Sequence, residues 1–159
     1  MQLSDHQSSV ELRPLRYEFA EARGEVHDDN WLVVAGSVAT AEGSWSFTDP
    51  CLLVHEARQL SGWLRATATG RTEPSAPDEG WLSPDTWFVE PVLAMSLADR
   101  NGTDLVIRVH YSLEAAPPWQ NGDDRPDIYQ YYVPLRLDSE ALLRAADSWD
   151  RALEAFPAR

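Results

Sequence analysis

The residues able to do chemistry in this sequence are few and scattered. Of the four histidines, His6 falls in a polar N-terminal stretch, His27 in a loop, His55 on a predicted helix off its apolar stripe, and His110 on a predicted strand. No two of them have metal-ligand spacing, and the one cysteine, Cys51, can build neither a structural zinc site nor an internal disulfide. The sequence holds no Gly-x-Ser-x-Gly elbow, no glycine-rich phosphate loop and no His-Glu-x-x-His helix. It therefore offers no catalytic residue, no metal and no cofactor to expect. His110 has the best individual case, because Arg108 and Ser112 flank it on the wetter face of a central strand, with Tyr132 on the strand beyond. An open sheet face at Arg108, His110 and Tyr132 would suit a small ligand or acid–base work, whereas ordinary pairing at a surface asks less of the same residues. Asp123, Asp124 and Asp127 lack the spacing of a calcium loop and read as a solvated loop.

A stronger signal is acid interleaved with large rings. One predicted loop carries Asp78, Glu79, Trp81 and Asp85, and another carries Trp119, Asp123, Asp124 and Asp127. A binder of a basic protein presents this combination, the ring supplying desolvated contact and the charge supplying steering. The competing reading is that both tryptophans fold inward as loop anchors, and the two readings can hold for different rings.

Charge narrows the partner. Acidic residues number 26 against 13 basic ones, a formal net charge of −13, which opposes a phosphate backbone or an anionic membrane and favours a basic protein. At 159 residues the chain is one domain long. We expect a flexible tail over 1–9 and a single domain over 10–159. Residues 1–10 have no basic segment leading into an apolar run, and no window is apolar enough to span a bilayer, so the cytoplasm is the expected location. The oligomeric state is not legible.

The elements that must position these residues follow from periodicity. Alternation predicts strands over 10–19 (an edge strand bulged at Pro14), 31–40 and 44–48, then around Trp87–Val89 and Leu93–Asp99, over 104–113, and over 129–137 near an edge because of Pro134. Asn101-Gly102 reads as a hairpin turn. Asp49-Pro50 reads as the start of a helix reaching Ala68, with Gly70 as its stop, and Asp138 as the cap of a second helix reaching Phe156. Leu53, Ala57, Leu60 and Leu64 form one helical stripe, and Leu142, Ala146, Trp149 and Leu153 repeat it, which raises a strand-strand-strand-helix duplication. The sum is an α+β domain, an antiparallel sheet of about six to seven strands with two amphipathic helices packed on one face.

Asp29-Asn30-Trp31-Leu32-Val33-Val34, Gly43-Ser44-Trp45-Ser46-Phe47, and Asp49-Pro50-Cys51-Leu52 running into a helix with Trp63-Leu64 resemble the WapI family of bacterial immunity proteins. Arg108-Val109-His110-Tyr111, Pro117-Pro118-Trp119 and the terminal Phe156-Pro157 are similar to the same group. The resemblance spans most of the chain from Leu12 and rests on fold-building motifs. It implies a cytoplasmic, non-enzymatic antidote that binds a cognate toxin whose C-terminal domain is a nuclease acting on tRNA. It transfers no functional residue. The rival readings are an acidic adaptor or chaperone for another protein, and then a small-ligand binder or enzyme.

Overall fold

A computed structural model describes every residue from 1 to 159 except Asn121, Asp123 and Asp124. Strands β1 (Gln2–Ser4), β2 (Ser9–Tyr17), β3 (Trp31–Thr40) and β4 (Gly43–Leu53) pair in that order, all antiparallel. Strands β5 (Leu93–Asn101), β6 (Asp104–Tyr111) and β7 (Tyr132–Asp138) form a second antiparallel sheet in chain order. With helices α1 (Val54–Ala68) and α2 (Ser139–Leu153), these make the expected α+β fold, its seven strands divided between two sheets. No helix among the described residues is long and apolar enough to cross a membrane.

Each sheet is a meander whose last strand runs straight into a helix, and the helices pack on one another. The Trp149 indole N–H donates to the Ala57 carbonyl at 2.7 Å, and Arg65 spans to Asp147 and Asp150 at 2.7 and 2.6 Å. Three antiparallel strands thus precede each helix, with β1 an additional strand ahead of the first set. The residue match does not follow that order: Leu53 ends β4 and caps α1, whereas its counterpart Leu142 lies inside α2. One helical period fits any amphipathic helix, so the repeated stripe fixes no register.

Several expectations are corrected by what the chain buries. Residues 1–9 are not a free tail: Leu3 pairs with Val10 in the sheet, and Met1 and Leu3 are buried in the core. Asp49-Pro50 starts no helix. It continues β4 opposite Val34 and Val33, across a bulge at Leu32/Val33, because Cys51, Leu52 and Leu53 beyond it are fully enclosed. The helix begins at Val54, where the Glu56 carboxylate reaches back to the Leu53 N–H at 2.8 Å. In the β5–β6 hairpin Asn101 pairs with Asp104, so the turn residues are Gly102, at φ +62°, and Thr103. α2 stops at Leu153, and Phe156 instead sets its ring against Tyr17, centroids 5.4 Å apart.

Other local signals hold. β2 shifts register between Pro14 and Arg16, past the short stretch that β1 covers, so the proline meets no partner strand on that side. Pro134 lies in β7, an edge strand. Asp138 accepts the Ala141 N–H at 2.7 Å at the start of α2. Gly70 takes φ +79° after α1.

Candidate functional site

The two acidic, aromatic loops flagged by the sequence are tied together. Gln130 exchanges two hydrogen bonds with the backbone of Leu82, each 3.1 Å, joining the segment before β5 to the segment before β7. The first segment opens with a tight turn: Asp78 and Trp81 exchange backbone hydrogen bonds of 2.9 and 2.8 Å, and Glu79 and Gly80 take φ +49° and +85°. From Trp81 to Val89 the chain then runs as a strap along the outer edge of β5. Asp85 and Thr86 N–H groups donate to the Met95 carbonyl, the Thr86 hydroxyl accepts the Met95 N–H, and the Asp85 carboxylate accepts the Leu97 N–H at 2.9 Å. Its far end is held by Glu56, whose second oxygen accepts the Val89 N–H at 2.7 Å.

The side chains of this strap alternate. Leu82, Pro84, Thr86 and Phe88 are buried, while Trp81, Trp87 and Val89 are exposed. Trp87 rests edge-on against Tyr129, ring centroids 5.3 Å apart, and Ile128 next to Tyr129 is exposed. Asp85 does not face outward with them. Its carboxylate also takes the Trp63 indole N–H at 3.2 Å, and burial raises its pKa in spite of those donors. Asp78, Glu79, Glu90 and Asp127 are exposed. Asp123 and Asp124 lie outside the described residues.

Trp119 behaves differently from Trp81. Its ring meets Trp45 edge-on at 5.4 Å and lies over Gly43, where an added Cβ would come 3.0 Å from it. Trp45 in turn donates to the Ala115 carbonyl at 2.9 Å, so Trp119 helps fasten the second loop to the β3–β4 turn. Both rings are exposed, Trp119 by 44% and Trp81 by 49%, and Trp119 is in addition braced against Trp45 and Gly43.

The face around Arg108, His110 and Tyr132 is not open. Arg108 and His110 are buried, covered by the segment that precedes β5 and by Tyr129. His110 is neutral and fully committed: Nδ1–H donates to the Tyr129 carbonyl, and Nε2 accepts from the Ser96 hydroxyl at 2.8 Å. Burial lowers its pKa to about 4, the Tyr129 carbonyl opposing and the Arg108 charge reinforcing. Arg108 donates to the Ser75 carbonyl at 3.1 Å and lies 5.5 Å from the Tyr132 ring centroid. The polar pattern on β6 is therefore a buried network that seats the covering loops. Alternation alone could not show this, because whether the second face of a strand meets water depends on what crosses it.

Trp87, Val89, Glu90 and Ile128 are the surface residues that sequence reading missed. The strand expected around Trp87–Val89 does not form, and the phase of Trp87 and Val89, opposite to Leu82 and Phe88, is the signal that finds them. Asp49 gathers further acid nearby: burial raises its pKa, and Glu114, Glu90 and Glu18 add to the rise in that order. Among the described residues, no group of three or more His, Cys, Asp or Glu side chains is placed to hold a metal.

What the fold displays is an exposed surface, acidic and aromatic, on an α+β scaffold whose buried polar residues hold loops. The chain belongs to the immunity protein WapI-like family, whose sequence model matches residues 1–157. That membership makes it an immunity protein directed at a toxin, a role that implies binding rather than catalysis. Comparison with curated proteins finds no match.

Proposed function

We propose that the chain neutralises a nuclease-type toxin by binding the toxin's C-terminal domain and occluding its active surface, without catalysing a reaction, in the cytoplasm where that domain would act. The observation that carries this is the family match over residues 1–157. The net charge of −13 supports it from the other side. A domain that grips RNA carries a basic groove, and an acidic protein competes for that groove by steering and charge-assisted pairing. The same charge disfavours nucleic acid and anionic membranes as partners of this chain.

The acidic and aromatic loops are the proposed contact region: Asp78, Glu79 and Trp81 in one, Trp119 and Asp127 with Asp123 and Asp124 in the other. Asp85 is left out of the contact set because its carboxylate bonds inward. The test is co-expression with the C-terminal domain of any toxin encoded next to this gene. Growth rescue with a co-purifying complex is the expected result. Folded protein that neither rescues nor binds would overturn the proposal and favour the adaptor or chaperone reading.

A further inference from the structure

We infer that the outward face of the strap, Trp81, Trp87 and Val89 with Ile128 beside them, is the docking surface for a basic protein, which seats an apolar anchor there and rings it with Lys or Arg side chains. This deepens the immunity reading and rests on it for the identity of the partner.

Exposure comes first. Trp87 is 61% exposed, Val89 57%, Trp81 49% and Ile128 41%. The inward positions of the same strap are already filled by Leu82, Pro84, Thr86 and Phe88, so these rings are not waiting to close a core. Apolar side chains clustered on a charged surface mark interaction sites, and tryptophan is the residue most enriched where binding energy concentrates.

Preorganisation comes second. The Gln130 amide, the Thr86 hydroxyl and the carboxylates of Asp85 and Glu56 all hold the strap's backbone or latch it to its neighbours. A surface fixed before the partner arrives loses little conformational entropy on binding. Trp87 is further set by its edge contact with Tyr129.

Charge selects the occupant. From Asp78 to Glu90 the chain carries Asp78, Glu79, Asp85 and Glu90 and no basic residue. Glu90 also acts on half-buried Asp49, as do Glu114 and Glu18 from two other segments, each raising the Asp49 pKa after burial itself. Carboxylates crowded in this way repel, and a cationic partner relieves the repulsion as it docks. A second copy of this chain would bring like charge to like charge.

The test measures binding of the same toxin domain at low and high salt. Trp87→Ala, and separately Trp81→Ala with Val89→Asn, should each raise Kd by about 30-fold, chiefly through faster dissociation. Glu79→Gln with Glu90→Gln should slow association several-fold at low salt and make little difference at high salt. Leu143→Ala, an exposed apolar truncation on α2, should bind as the parent does. If the parent binds and folded Trp87 and Trp81/Val89 variants bind equally well, the surface is wrong while the immunity reading stands. If the parent itself does not bind, the immunity reading fails and takes the stated occupant with it. A homodimer that those substitutions dissolve would also overturn the inference, since a second copy would then be the occupant.

Discussion

Glu56 joins two parts of the chain that share no strand pairing: one carboxylate oxygen accepts the Leu53 N–H at 2.8 Å and the other accepts the Val89 N–H at 2.7 Å. The residue that starts α1 thereby also fixes the end of the strap. Glu56 is buried, so neither N–H is readily replaced onto water. Glu56→Ala should destabilise the protein by about 2–4 kcal/mol, because it strands two backbone donors. Denaturant unfolding would measure this, and a loss below about 1 kcal/mol would mean that the strap is held without it.

His110 predicts a stability that falls with acid. Its folded-state pKa of about 4 lies below the ordinary histidine value of 6.5, so the native state favours the neutral ring. Above pH 6.5 that preference carries no penalty in either state. As pH drops from about 6.5 toward 4 the unfolded chain takes up a proton that the native state refuses, and stability declines by up to about 3 kcal/mol. Unfolding free energy measured across this range should show the decline, and His110→Gln should flatten it. An unchanged slope in the variant would assign the effect to other groups.

Gly36 sits opposite Phe47 in the β3–β4 pair, where a Cβ would lie 2.0 Å from the ring. Gly36→Ala should therefore cost about 1–3 kcal/mol by overpacking. Phe47→Leu should be less damaging in that background than in the parent. A double-mutant cycle of thermal unfolding checks the coupling, and additive losses would contradict it.

Trp149 is fully buried and donates to Ala57 across the helix pair. Trp149→Ala should cost about 3–5 kcal/mol, while Trp149→Phe, which keeps most of the ring and loses the donor, should cost about 1–2 kcal/mol. Equal losses would mean that the packing a phenyl ring retains contributes nothing beyond the hydrogen bond.

Local rules carried much of the fold. The alternation over Leu105, Ile107, Val109 and Tyr111 and the carboxylate at Asp138 need only their own neighbourhood to act, and both appear in the structure as read. Asp49-Pro50 failed because a start signal competes with burial, and Cys51 to Leu53 are buried by residues distant in sequence. The candidate surface was half legible. Acid and aromatic composition pointed to the loops, yet composition could not say that Trp119 leans on Trp45 while Trp87 stays outside. Nor could it say that Asp85 turns inward to Leu97 and Trp63. The face at His110 was misjudged for the same reason: its covering segment is irregular chain that announces no period.

The most direct measurement titrates the purified C-terminal domain of the proposed toxin with this protein while recording nuclease activity on RNA. We predict that activity falls to background near one equivalent, with the RNA itself left unbound by the antidote. Full nuclease activity at a large excess of folded protein would contradict the account.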